Sequence, residues 1–321
     1  MLATLPLPAR AASAPDLRRL LRQDPDAPVA LDASALDRVL RHDAPRGLLE
    51  VQAGGGWRTV AAALEQTRPR LGGLAATATL PATVGESVAA NAPGPDGVPL
   101  VAHVEALTVA TADGELRRAS RFANAELFRL AVGGQGAIGI FYSVTLRLDS
   151  LEQSFARAED AARQEPPRAA RGDSACLLVP PGALQAFLAD ARAYLDQRRA
   201  ALLGVAIRAT RAEHESFLRW AVRDYARVSL AFDAGATLGH CVRATEIRRA
   251  LMTLALERGG GFAPAHCVDA TREQLAAAYP TLAEFLARAR RFDPAGRLQN
   301  HWARHCRRLL QPEPFEVRWE R

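Results

Sequence analysis

The amino-acid sequence predicts an α+β protein with two folding units. Three observations predict it. Helical and strand-like periodicities alternate along the whole chain, two strand candidates flank an Asp113-Gly114 turn, and a charged, proline-containing stretch divides the sequence near its middle. A chain of 321 residues, 49% hydrophobic and 24% charged, is long enough for one large or two medium cores.

Taken in order, "APDLRRLLRQ" has apolar positions at helical spacing, and "DASALDRVLRHD" reads as a capped helical turn after Asp32. "GLLEVQAGGGW" is a strand running into Gly54, Gly55 and Gly56, and "WRTVAAALEQ" is again helical. "PATVGESVAANAPG" reads as a glycine-containing turn leading into small residues. "HVEALTVATADGELRRAS" is a hairpin, "NAELFRLAVGG" a short helix and "IGIFYSVTLRLDS" an alternating strand. The boundary candidate, "EQSFARAEDAARQEPPRAARGD", follows. Beyond it, "SACLLVPPGALQAFLADARAYLDQ" is strand then helix, "ALLGVAIRAT" and "YARVSLAFDAG" are strands, and "RATEIRRALMTLALERGG" is a helix with a glycine stop. "FAPAHCVDA" reads as a strand. The tail is helix, Asp293-Pro294 turn and helix, with "FEVRWER" as a closing strand.

The charge excludes several chemistries. The net +6 rests on arginine alone, because the chain contains no lysine. Schiff-base catalysis and the lysine of a G-x-x-x-x-G-K-[ST] phosphate loop are therefore ruled out. Arginine pairs such as Arg18-Arg19 and Arg307-Arg308 are scattered among acids, and aromatics make up 6%, so no nucleic-acid stripe is expected. Cys176, Cys241, Cys267 and Cys306 never form C-x-x-C, and they read as buried or idle thiols. His301 and His305 share a helix face but have no acidic third ligand between them, so no metal site is expected. The chain has no apolar run of about 18 residues and no secretory pattern at its start, which predicts no membrane span and a cytoplasmic protein.

"GGQGAIGIF" carries Gly134, Gly136 and Gly139 at the G-x-G-x-x-G spacing of a nicotinamide-dinucleotide loop. That loop needs a strand before it and a helix after it, whereas here a helix precedes and a strand follows. A nicotinamide dehydrogenase is excluded, and the glycines read as a tight helix-to-strand turn.

Four collinear stretches carry a resemblance. "LLEVQAGGGWRTVAAALE", "ATVGESVAANAPG", "HVEALTVATADGEL" and "NAELFRLAVGGQGAIGIFYSVTLRL" resemble, in order and spacing, the FAD-linked oxidases of the vanillyl-alcohol oxidase or PCMH type. "YPTLAEFLARARRFDPAGRLQNHWARH" is similar to the closing segment of the sugar-oxidising branch, which includes alditol, aldonolactone and decaprenylphosphoryl-ribose oxidases. The resemblance implies an FAD-binding PCMH-type domain over 1–150, an α+β substrate domain over 151–285, and a segment over 286–321 that returns to the first domain.

It also implies a site. Val84, Gly85, Ala89, Ala90, Asn91 and Gly94 would run beside the diphosphate and ring of a non-covalently held FAD, and Gly134, Gly136, Gly139 and Ile140 would lie at its adenine end. His266, aligned with a flavin-facing position of the second domain, would be the proton acceptor, and Arg227 and Ser229 would contact the substrate. The implied reaction is oxidation of a hydroxyl group on a sugar-like or polyol small molecule, with the electron acceptor unidentified.

The chain departs from the family pattern at one functional place. No R-G-x-G-x-S loop precedes "ALDASALDRVL", Glu86 stands where the family has a second glycine, Pro93 replaces a histidine, and "PLVA" replaces G-S-F-G. These changes imply the alternative of a flavin-free homologue acting as a binding or scaffold protein.

Overall fold

A computed structural model of the protein describes residues 9–24, 27–76, 83–161, 173–235, 239–298 and 300–310. The proposed closing strand and the middle of the charged boundary stretch lie outside these residues.

The first unit begins with β1 (Ala9–Arg10) and α1 (Ala14–Arg22). The Ser13 side chain accepts the Asp16 amide at 3.2 Å to start α1, which buries Leu17 and Leu21 on one face. β2 (Leu31–Asp32) pairs parallel with β1, and Val29 bridges parallel to Leu298 from the far end of the chain. β3 (Val39–Asp43), β4 (Leu48–Gln52), β5 (Val104–Ala110), β6 (Leu116–Ser120) and β7 (Ile140–Arg147) form an antiparallel sheet in the order β3-β4-β7-β5-β6. Between β4 and β5 lie α2 (Trp57–Leu64) and α3 (Val84–Ala89). α2 buries Trp57, Val60, Ala61 and Leu64, the spacing that its sequence predicts. The hairpin turn between β5 and β6 places Gly114 at φ +77°, a conformation that favours glycine. α4 (Ala125–Ala131) precedes β7, and α5 (Leu148–Ala161) follows it directly. Leu148, Leu151 and Phe155 of α5 join the core, so the charged stretch expected as a linker begins as a packed helix.

The second unit is a four-stranded antiparallel sheet built from β8 (Asp173–Val179), β9 (Ala201–Thr210), β10 (Tyr225–Asp233) and β11 (Gly261–Phe262), in the order β11-β8-β10-β9. α6 (Leu184–Gln197) and α7 (His240–Leu256) cover one face, where Phe187, Leu195, Ile247 and Leu251 meet Leu177, Val228, Leu230 and Phe232. α8 (Arg272–Ala278), α9 (Leu282–Ala289) and α10 (His301–Leu310) close the chain. The closing stretch touches the first unit: Arg297 donates to the carbonyls of Ala112 at 2.8 Å and Leu21 at 2.9 Å, and Asn300 donates to Gln135 O at 2.8 Å.

Three local expectations are corrected. The helical turn after Asp32 is a side-chain-capped turn, with Asp32 accepting the Ser34 amide at 2.8 Å, followed by strand β3. Pairing with β4 overrides the helix-like spacing of Leu36, Val39 and Leu40. "PATVGESVAANAPG" is not a plain turn, because Thr83 and Glu86 make a reciprocal capping box that starts α3. "FAPAHCVDA" holds only the last residue of β11, Phe262, at its start and then a 3₁₀ turn, Pro264–Val268, since Pro264 has no amide to give the sheet.

Candidate active site

Cross-strand partners point to the same side of a sheet, so the register of the second unit determines what its helix-free face presents. Arg208, Arg227 and Leu178 form one row across β9, β10 and β8. Ala206, Ser229 and Cys176 form the next, and Gly204, Ala231 and Ser174 the third. Every residue of the two small-residue rows is at least partly accessible. The face is thus a floor of small side chains bordered by two guanidinium groups. Its arginine end is the end that meets the first unit, where the Arg211 amide donates to Gly97 O at 2.8 Å. Glycine is required there, because a Cβ on Gly97 (φ +83°) would lie 2.2 Å from Ala209 O.

Arg227 and Ser229, expected at the substrate, are therefore together on this floor. The Ser229 hydroxyl lies 3.9 Å from Cys176 Sγ. Burial pushes the Cys176 thiol up, opposed by the Arg227 charge and the Ser229 hydroxyl, so it stays protonated and is no nucleophile at neutral pH. Burial lowers the Arg208 pKa, and the neighbouring Arg227 charge lowers it further.

His266 joins the same cluster in a different capacity. It sits on the 3₁₀ turn rather than on a strand, and its Nε2 accepts the Cys176 backbone amide at 3.1 Å. Its Nδ1 faces Asp269 Oδ2 at 3.7 Å, and Arg248 lies 3.0 Å from that same oxygen. His266 holds the Asp269 carboxyl below its ordinary range, with Arg248 adding to the effect against burial. In this structure His266 Nε2 is occupied by the Cys176 amide and Nδ1 is turned to a carboxylate, so the ring, expected as the proton acceptor, is here tied to the edge of the floor.

The expected cofactor residues divide by exposure. Ala89, Ala90, Gly136 and Ile140 are half-exposed. Val84, Gly85, Asn91, Gly94, Gly134 and Gly139 are buried. Asn91 (φ +45°) spends its side chain inside, accepting the Val101 amide at 2.8 Å and donating to Glu213 at 3.4 Å. A Cβ on Gly85 would lie 2.7 Å from Ala53 O, one on Gly134 2.2 Å from Leu130 O, and one on Gly139 2.5 Å from Ala110 O. These glycines are needed for backbone-to-backbone packing.

The sequence reading missed several groups. Arg208, Ala206 and Gly204 alternate along β9 in "ALLGVAIRAT", a period-two signal that was available. Others had no local signal. The buried Glu213 carboxylate gathers the amides of Glu215 and Ser216 at 2.8 and 3.0 Å, and Arg121 ties Glu215 to the Val101 and Val104 carbonyls at 2.7 and 2.6 Å. Both join the loop after β9 to the first unit. Among the described residues, no group of three or more His, Cys, Asp or Glu side chains is gathered to hold a metal ion, and no helix is long and apolar enough to cross a membrane.

With this geometry in view, comparison with known proteins gives two findings. Residues 19–120 match the family described as "FAD binding domain". A protein of Rhodococcoides fascians, the "Uncharacterized oxidoreductase ORF5 in fasciation locus", is 33% identical over 135 residues, covering 40% of this chain and 29% of the relative. The match thus spans less than a third of that relative's length. Over residues 19–120 the first unit thus matches an FAD-binding domain, within an α+β chain, which points to FAD as the cofactor to be tested for fit.

Tested against the chain's own atoms, one part of the site fits FAD and another does not. Half-exposed Ala89, Ala90 and Gly136 have little side chain, which suits the close approach of a flat ring. The amides at the start of α3 do not suit a diphosphate. Val84 N donates to Gly55 O at 2.9 Å, Gly85 N to Ala53 O at 2.8 Å, Glu86 N to the Thr83 hydroxyl at 3.1 Å, and Ser87 N to Thr83 O at 3.1 Å. The turn after Asp32 also lies directly on Gly54, whose Cβ would be 2.4 Å from Ala33 O. Donors for a diphosphate must come from outside these positions.

Proposed function

We propose that this protein is an FAD-dependent oxidoreductase that oxidises a hydroxyl group of a sugar-like or polyol substrate, with FAD held non-covalently. The observation that carries the reading is the floor of the second sheet, which opens Arg227, Ser229, Ala206 and Ala231 beside the FAD-binding domain. Small side chains leave room for a hydroxylated carbon chain, and Ser229 and Arg227 supply the polar groups that orient it. His266 holds the β8 backbone at Cys176, which keeps the floor flat beneath the substrate. FAD supplies the hydride acceptor when bound.

The test is spectroscopic. Purified protein supplied with FAD is expected to retain a flavin absorbance band through gel filtration, and the band should bleach anaerobically with a polyol. Retained flavin that no polyol or sugar bleaches would overturn the substrate class, and loss of all flavin on filtration would overturn the oxidoreductase. One observation favours a second reading. The amides at 84–87 are all engaged within the chain, as they would be in a relative that keeps the fold and the substrate face without turnover. That relative would bind ligand and show no bleaching.

A further inference from the structure

Three of the four cysteines converge on one buried tyrosine. Tyr279 donates its hydroxyl to the Phe262 carbonyl, and burial pushes that hydroxyl up, with the Cys267, Cys176 and Cys306 thiols beside it adding to the shift. Two of these thiols belong to one contact between elements. Pro264 and Cys267 stand three residues apart on the 3₁₀ turn, and Trp302 and Cys306 four apart on α10, so each pair lies on one face of its element. The Trp302 indole donates to the Pro264 carbonyl at 2.9 Å, which lays the two faces together and carries Cys306 over the end of the turn where Cys267 sits. Both thiols are free and fully buried in the same core. Burial pushes the Cys267 thiol up, and the adjoining Cys306 thiol pushes it further, against the Trp302 indole. Cys176 instead faces the Ser229 hydroxyl at 3.9 Å.

We propose that Cys267 and Cys306 are a reversible disulfide pair that locks α10 onto the turn carrying His266. The oxidant is a small-molecule disulfide of the glutathione type. Two S–H bonds are lost and one S–S bond forms, while the oxidant takes up two electrons and two protons and leaves as two thiols. With both sulfurs buried, a thiolate arises only when α10 lifts from the turn, so the pair reacts through that local opening, and the bond, once made, prevents it. Closing the chain between 267 and 306 restricts the unfolded ensemble, so the oxidised form is the more stable one. His266 on the same turn accepts the Cys176 amide at 3.1 Å, so the lock also fixes the edge of the floor.

The test is disulfide mapping of the full chain. Reduced protein is incubated with glutathione disulfide, alkylated, digested without reduction and read by mass spectrometry. Exposed Cys241 is expected to take up glutathione first. Cys267 and Cys306 should disappear later and together, as one linked peptide pair two hydrogens lighter than its parts, and dithiothreitol should restore both. Urea unfolding of C241S, which removes the exposed thiol, should show a higher midpoint after oxidation than before it, and C241S/C306S should lose that gain. Cys267 linked to Cys176, glutathione on either buried thiol without a cross-link, or two unmodified thiols after urea just below the midpoint has opened α10, overturns the pair. A cross-link that leaves the midpoint unchanged overturns the lock. The linkage is read on the wild-type chain, so its outcome does not depend on how the variants fold.

Discussion

The two sheets of this protein use small residues in opposite ways. In the first unit, Gly54, Gly85, Gly134 and Gly139 let the chain press against itself, with a Cβ at each position falling within 2.2 to 2.7 Å of a carbonyl oxygen. In the second, Gly204, Ala206, Ser229 and Ala231 face outward and leave a surface open. A small residue is therefore ambiguous as a functional signal. What its missing atoms make room for decides whether it serves packing or binding.

The contrast can be broken most forcefully at the junction of the two units. Gly97→Ala would force a side chain into a φ of +83° and against Ala209 O, and a loss of at least about 3 kcal/mol in urea unfolding is expected. An unchanged midpoint would mean that β9 is not seated on the first unit.

The next effect comes from pH. His103 is buried, bonded to Ser150 at 2.7 Å, and burial lowers its pKa from 6.5 to about 4. The unfolded chain takes up this proton near its ordinary pKa and the folded chain only near 4, so the unfolded state binds more protons in between. Stability should therefore be full above about pH 6.5 and fall by about 3 kcal/mol as pH drops to 4. Thermal unfolding across this range checks it, and H103Q should flatten the slope.

A smaller change is expected at α3. Thr83→Ala removes one half of the capping box and should cost about 1 kcal/mol, measured by chemical denaturation. If the same variant strengthens FAD retention, the engaged amide of Glu86 is what limits the diphosphate.

The smallest stability effect sharpens the comparison most. Ser229→Ala on the open floor should shift unfolding by no more than about 0.5 kcal/mol while weakening ligand binding. A large loss of stability would make that face a packing surface like the first.

The amphipathic helices were legible because a single stripe carries their energetics: Trp57, Val60, Ala61 and Leu64 read as one face and form one. β3 was misread because Leu36, Val39 and Leu40 mimic helical spacing, and only pairing with β4 distinguishes the two. α3 was legible in principle, since Thr83-x-x-Glu86 is a capping-box signature. Of the site, Arg227 and Ser229 were placed through family resemblance. Arg208 was not, because its meaning depends on a partner strand 19 residues away.

By itself the sequence determined the α+β class, the absence of lysine chemistry, and a glycine turn at Gly134 and Gly136 that cannot be a nicotinamide loop, since these follow from composition and local periodicity. Only the tertiary structure decided what His266's ring nitrogens face, where the amides of Val84 to Ser87 are spent, and that Arg208 stands beside Arg227. Each of those facts is a contact between residues distant in sequence, and a pattern along one strand carries no information about the strand it meets.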